Sequence, residues 1–177
     1  LAQGKDVLEV ACGAGVGLGL LHQSARSVVG CDYTGQVLTI AQRQYGRRVP
    51  LVRADAQQLP FADHSFDLVL TFEAIYYLER LDWFLAEAYR LLRSDGRLLL
   101  CTTNPEWPYF VPCQMSIHYP TLAELAAQFT AAGFAPFQFY GALPLPGVRL
   151  HKKILAQVRR YALQRNVFAL DSALARR

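Results

Sequence analysis

Apolar and polar positions along the chain change rhythm at regular intervals. The runs "DVLEVAC" (6–12), "SVVGCD" (27–32), "VPLVRAD" (49–55), "FDLVLTF" (66–72) and "RLLLCTT" (97–103) lack polar alternation. They predict five strands buried on both faces. Between them the apolar spacing lengthens to three and four residues, which predicts helices from about Gly15 to Ala25, over 35–45 and over 81–92. In the helix over 81–92, Phe84, Leu85, Ala88, Leu91 and Leu92 share one face, and Asp82 is expected to cap its start. Ser94-Asp95-Gly96 reads as the turn into the fifth strand. "TLAELAAQFTAAGF" (121–134) predicts a helix ending at Gly133, with Thr121 as N-cap and Glu124 completing a capping box. "PFQFYGA" (136–142) predicts a sixth strand. Alternation of this kind gives an α/β fold, a doubly wound, mainly parallel sheet sandwiched by helices. Ligands of such sheets bind beyond the carboxyl ends of the strands, where the strand order reverses.

Composition fits one globular domain: 177 residues, 53% hydrophobic and 18% charged. No apolar run reaches the roughly 18 residues of a membrane span. The chain begins with Leu rather than Met and opens almost directly on its first strand, which suggests either a piece of a longer protein or a chain without its disordered ends; no signal peptide is expected. Cys12, Cys31, Cys101 and Cys113 form no CxxC pair, and no histidine stands at zinc-ligand spacing, so a disulfide framework and a metal site are not expected. Free thiols in apolar runs predict a reducing cytoplasm. The charge is uneven. Residues 150–177 carry seven Lys/Arg against Asp171, a net of +6, and the whole chain is +4, so residues 1–149 carry −2. A basic pI therefore says nothing about the main crevice.

The first strand runs into "ACGAGVGLG", where glycines alternate at 13, 15, 17 and 19. A dinucleotide fingerprint would need a third small residue at Leu18 or Leu20, and no phosphate-binding G-x-x-x-x-G-K-S/T is present. Three carboxylates sharpen the picture: Glu9 inside the first strand, Asp32 ending the second and Asp55 ending the third. Such a set suits ribose hydroxyls (Asp32), an adenine amino group (Asp55, with the Ala56 backbone beside it) and a positively charged ligand (Glu9). A pyrophosphate would be repelled.

These residues resemble the class I S-adenosylmethionine-dependent methyltransferases, most nearly the small-molecule group that includes ubiquinone and menaquinone methyltransferases (methyltransferase type 11). "VLEVACGAGVG" resembles the family's first motif, "VVGCD" the second, "RADAQQLPFADHSFDLVLTF" the third and fourth, and "LLRSDGRLLLCT" the turn into the fifth strand. The resemblance runs over residues 5–103. One departure is Ala11, where the family usually has its first glycine; alanine is the smallest alternative, and binding is expected to survive. The resemblance implies S-adenosylmethionine as cofactor and S-adenosylhomocysteine as product. It places Glu9, Ala11, Gly13, Gly15, Asp32, Tyr33, Asp55, Ala56, Thr71 and Phe72 around that cofactor.

The implied reaction is in-line transfer of a methyl group to a small-molecule or lipid- or sugar-linked acceptor. Holding donor and acceptor in line supplies roughly 7–11 kcal/mol of the barrier, and a general base helps where the acceptor is a hydroxyl. Glu73, Tyr76 and His118 are the candidates for acid–base work, with Tyr77 as pocket wall; Phe72 is expected to contact the cofactor. His22, His64 and His151 lack a carboxylate partner pattern. The segment Trp107–Pro112 reads equally as the wall of an apolar acceptor pocket and as a rigid connector. Asn104-Pro105-Glu106-Trp107 is similar to the Asn-Pro-Pro-Tyr box of DNA adenine methyltransferases but follows the wrong strand, so nucleic acid is not expected as substrate.

Two domains of reading result: residues 1–149 as the cofactor-binding domain, and 150–177 as a basic helical extension. In the latter Leu150, Ile154, Leu155, Val158 and Ala162 form an apolar stripe that either packs on the domain or meets an anionic membrane or acidic partner. The family's seventh, antiparallel strand is not evident, so the sheet is expected to lack it. The alternative function is a methyltransferase-like binding or scaffolding module without catalysis.

Overall fold

The computed structural model describes residues 1–141. The elements are β1 (Asp6–Val10), α1 (Leu18–His22), β2 (Ser27–Asp32), α2 (Gly35–Tyr45), β3 (Leu51–Arg53), β4 (Phe66–Phe72), a 3-10 turn (Ile75–Tyr77), α3 (Leu81–Leu91), β5 (Leu92–Cys101) and α4 (Leu122–Ala131). The five strands form one parallel sheet in the order β3-β2-β1-β4-β5. The order therefore reverses between β1 and β4, and the crevice beyond their carboxyl ends is the place where a ligand is expected.

Side chains alternate between the two faces of β1. Val7 joins Leu18, Leu38, Ala41 and Tyr45 under α1 and α2. Leu8 and Val10 join Phe84, Leu85, Ala88 and Leu125 under α3 and α4. Helices on both faces make the sheet doubly wound; β1, β2 and β4 are largely buried as expected, whereas the two outermost strands are not, since β3 is at most half-buried and Leu99 of β5 is exposed. At the amino ends of the strands, Asp6 and Asp67 are bound to Arg26 and Arg93. The guanidinium of Arg26 and the hydroxyl of Ser27 hold the Asp6 carboxyl far below the usual carboxylate range. This charged foot stands at the opposite edge from the crevice.

Residues 54–65, between β3 and β4, contain no helix, and α3 fixes them by polar contacts. The Leu59 N–H donates to Glu87 Oε2 at 2.7 Å, and Arg90 donates to the carbonyls of Phe61 and Leu59 at 2.8 and 3.1 Å. Asp55 is thereby held in the turn that follows β3.

Several expectations are corrected. The first helix spans only Leu18–His22, because residues 11–17 are consumed by a tight turn. Asp82 lies inside α3, ion-paired to Arg80 at 2.6 Å, and the N-cap position belongs to Arg80. Ser94-Asp95-Gly96 lies within β5 as an irregularity: Phe66 pairs with Leu92, but Leu68 pairs with Arg97. Residues 136–141 form no strand. Phe137 and Phe139 instead pack their rings on Phe129 of α4 at 5.5 and 6.2 Å between centroids. The expected extension over 150–177 and a returning seventh strand lie outside the described residues.

The capping box of α4 is present: the Glu124 N–H donates to Thr121 Oγ1 at 3.2 Å, and the Thr121 N–H donates to Glu124 Oε2 at 2.7 Å. Thr121→Ala removes one half of this exchange and is expected to lower stability by about 1 kcal/mol. Chemical denaturation checks it; an unchanged midpoint would mean that α4 is fixed by its aromatic contacts alone.

Candidate functional site

The crevice begins where β1 ends. Ala11, Gly13 and Gly15 have φ of 57°, 55° and 83°, so every second residue is left-handed and the chain coils tightly back over the strand ends. Two side chains from other elements fix this turn. Asp32, the last residue of β2, accepts from the Gly13 N–H at 2.8 Å through Oδ2 and from the Thr34 N–H at 2.8 Å through Oδ1. Tyr45, the last residue of α2, donates its hydroxyl to the Gly15 carbonyl at 2.6 Å and accepts from the Gly19 N–H at 3.1 Å. Tyr45 is buried, and nothing in the sequence pattern marked it as part of the site beyond its place at a helix end.

Glycine is required here for two distinct reasons. At Gly15 a Cβ would lie 2.7 Å from the Tyr45 ring, on a backbone that is already left-handed. At Gly17 the backbone is ordinary, but a Cβ would lie 2.7 Å from Glu9 Oε1 and 3.0 Å from Oε2. The missing side chain at 17 is the space that Glu9 occupies. Above Gly13 an added Cβ would meet nothing within 4 Å, so that face of the turn is open.

Glu9 is 5% exposed, and its Oε2 is buried without a hydrogen-bond partner. Burial pushes its carboxyl up to about 7 from the ordinary 4.5. An unpaired buried carboxyl is costly, and Glu9 is kept as one beside an open turn. Asp55 lies two residues beyond β3 rather than at its end. Its Oδ1 accepts from the Gln57 N–H at 2.9 Å and from Gln57 Nε2 at 3.1 Å. Ala56 follows in the same turn. Tyr33 exposes its ring beside Asp32, while its carbonyl accepts from Arg53 Nε at 3.0 Å. Thr71 is buried in β4 directly across from Val10, and Phe72 at the strand end is exposed.

The acceptor-side candidates have separate surroundings. Glu73 has a left-handed backbone, φ 51°, unusual for a residue with a side chain. Its Oε2 accepts from Thr103 Oγ1 at 2.8 Å, and the Cys101 thiol lies 3.8 Å from Oε1. Thr103 was not singled out from the sequence; its part depends on β4 and β5 being neighbours. Tyr76 is buried and stacked on Tyr119 at 4.3 Å, and burial pushes its hydroxyl well above the ordinary range, so it stays protonated. His118 donates its backbone N–H to the Tyr76 carbonyl at 3.3 Å, while its exposed imidazole points to Glu124, 3.4 Å away. Tyr77 donates to Cys113 Sγ at 3.6 Å. Of the segment 107–112, Phe110 is buried against Tyr119, and Trp107 packs on Tyr109.

Comparison with known proteins agrees with the fold. The family described as "Methyltransferase domain" matches residues 8–100. A Mycobacterium ulcerans phthiotriol/phenolphthiotriol dimycocerosates methyltransferase is 40% identical over 105 residues, 58% of this chain and 39% of that protein. A Mycolicibacterium smegmatis fatty-acid O-methyltransferase is 36% identical over 108 residues, 59% of this chain and 39% of that protein. The chain thus spans about two fifths of the length of these curated relatives. Among solved structures, a Haemonchus contortus phosphoethanolamine N-methyltransferase, in complex with phosphoethanolamine and S-adenosylhomocysteine, superposes with a TM-score of 0.57 at 26% identity. That match covers 66% of this chain and 26% of that one.

Two outcomes test the turn and its buried acid. Ala11→Gly relieves a left-handed alanine and is expected to stabilise the protein by about 0.5–1 kcal/mol net of the added chain entropy. Gly15→Ala is expected to cost about 2 kcal/mol or more; thermal unfolding of both variants is the check, and shifts in the same direction would disprove the assigned geometry. For Glu9, the folded protein holds the proton more tightly than the unfolded chain, so stability falls as pH rises from 4.5 to 7. Glu9→Gln cannot ionise, so it is expected to gain up to about 3 kcal/mol over the parent above pH 7 and nothing below about pH 4.5. Urea midpoints of both proteins at pH 4.5 and 8 measure that difference; an equal gap at both would refute it.

Proposed function

Since the chain belongs to the methyltransferase domain family, we propose that it transfers a methyl group from S-adenosylmethionine to a small-molecule or lipid-linked acceptor by in-line displacement. The observation that carries this is the combination at the strand-order reversal: an open left-handed turn, a carboxylate at the end of β2, and a buried carboxyl that has no cation beside it among the described residues. Each part matches one portion of a sulfonium nucleoside. A carboxylate offers about four acceptor directions, and the two backbone N–H groups on Asp32 take two of them, leaving two for vicinal ribose hydroxyls. Asp55 retains Oδ2, its less occupied oxygen, for an exocyclic amino group, with Tyr33 and Ala56 lining the purine side. Glu9, Ala11, Gly13 and Gly15 would surround the amino-acid and sulfonium end, and Thr71 and Phe72 would close the side nearest the acceptor.

S-Adenosylmethionine, when bound, supplies an activated methyl group. What remains for the chain is to position the acceptor and, where the nucleophile is a hydroxyl, to take its proton. We assign the proton-accepting task to Glu73, whose carboxylate is held at the end of β4 by Thr103. Tyr76 is too well protonated to act as a base and would serve as wall, with His118 beside it as a more exposed candidate. The exposed apolar side chains of Phe72, Tyr77, Met115 and Ile117 give the acceptor side an apolar rim. Together with the lipid-modifying names of the two curated relatives, they favour an acceptor with a hydrocarbon or ring-bearing body. Among the described residues no helix is long and apolar enough to cross a membrane. The four cysteines are free thiols, which supports a reducing, cytoplasmic setting.

Calorimetric titration with S-adenosylmethionine, S-adenosylhomocysteine and NAD tests the cofactor. The two sulfur nucleosides are expected to bind at micromolar concentrations and NAD not at all. Asp32→Ala is expected to weaken both at least thirtyfold, since two hydrogen bonds to a charged acceptor are lost. Absence of binding by both sulfur compounds would overturn the assignment.

A further inference from the structure

Glu9 differs from the other acids of the crevice in what surrounds it. Asp32 is held by two backbone N–H groups, and Asp55 by Gln57. Glu9 has a register partner in Gly30 of β2, another in Leu70 of β4, and Gly17 of the turn over its two oxygens. The buried thiols of Cys12 and Cys31 lie within the electrostatic reach of Glu9, and the carboxylate of Asp32 acts on the same two thiols. Burial pushes both thiols up to about 12, so they stay neutral at any physiological pH. Among the described residues the neighbourhood therefore offers neutral or negative groups and no cation. One Glu9 oxygen remains buried and unpartnered within it.

Such a carboxyl has two ways to avoid an uncompensated buried charge: to keep a proton, or to meet a positive ligand. Resting on the cofactor reading above, we propose that Glu9 is the charge-sensing residue of the site: it holds a proton in the free protein and releases it when the cationic end of a sulfonium nucleoside enters. No bond to the ligand forms; the proton passes from the Glu9 carboxyl to solvent as the ligand's positive charge takes its place. Uptake of ligand and loss of a proton become one event, and a neutral nucleoside gains nothing from it.

With the free carboxyl titrating at about 7, roughly three quarters of the molecules carry the proton at pH 6.5. Binding of a cationic ligand then weakens about tenfold for each pH unit below 7 and levels off above it. Below about pH 7 its pH dependence comes from Glu9 and not from the ligand, whose α-amino group loses its proton only above that.

The experiment is calorimetric titration of the whole chain at pH 6.5, in phosphate and in imidazole, whose ionisation enthalpies differ. The probes are S-adenosylmethionine and the neutral methylthioadenosine. The expected result is release of about 0.75 proton per S-adenosylmethionine bound and none for methylthioadenosine, with release abolished in Glu9→Gln. Tight binding without proton release overturns the proposal while leaving the cofactor reading intact. Equal release by the neutral nucleoside, or release that persists in Glu9→Gln, also overturns it. Failure of S-adenosylmethionine to bind at any pH from 5.5 to 7.5 overturns both. Should the variant not fold, the wild-type Kd decides alone: a Kd that falls close to tenfold from pH 5.5 to 6.5 and flattens above pH 7 supports the proposal, and a flat profile refutes it.

Discussion

A parallel sheet has a direction, and everything at this crevice depends on it. Because β1 to β5 all run the same way, every loop that follows a strand emerges on one edge. Residues distant in sequence, Glu9, Asp32, Asp55 and Glu73, are delivered to that edge without any contact being designed between them. The reversal of strand order between β1 and β4 then opens the edge at one point, since the connections leave it in opposite directions. The site is in this sense a by-product of topology, refined by a few side chains.

The refinement lies mostly in the turn after β1. Three left-handed residues in alternation are unfavourable as a local conformation, and two of them bear no side chain because of it. The conformation is held from outside, by a carboxylate at the end of β2 and a phenol at the end of α2. Both anchors come from the next strand–helix unit, so the turn and that unit must form together. Asp32 therefore ties the turn through one oxygen and the start of the next helix through the other.

Much of this was legible in the chain. β4 and α2 have the bounds that periodicity alone assigns, because each is a single uninterrupted pattern bordered by turn residues. Glu9 stands out as an acid inside the first apolar run and Asp32 as one that ends the second, placements that local sequence states directly. What was not legible depends on contacts between distant elements. Nothing local shortens the first helix; the tight turn does, and it is fixed by Tyr45 thirty residues on. Asp82 has the chemistry of a cap but is drawn into a pair with Arg80. Ser94-Asp95-Gly96 has the composition of a turn, yet β4 keeps it in the sheet as an irregularity. Phe137 and Phe139 carry a strand's alternation, and α4 rather than β5 receives their rings. Thr103 became visible only once β5 lay beside β4.

Two acids three residues apart on β1 meet opposite fates. At the foot, guanidinium groups hold the Asp6 carboxyl well below the usual carboxylate range. At the crevice, burial lets Glu9 take a proton near neutrality. A single five-residue strand thus responds to mild acidification at one end only. A modest fall in the pH around the protein would be registered at the ligand edge while the ionic lattice beneath it stayed intact. Sensitivity and foundation are kept apart by the length of one strand.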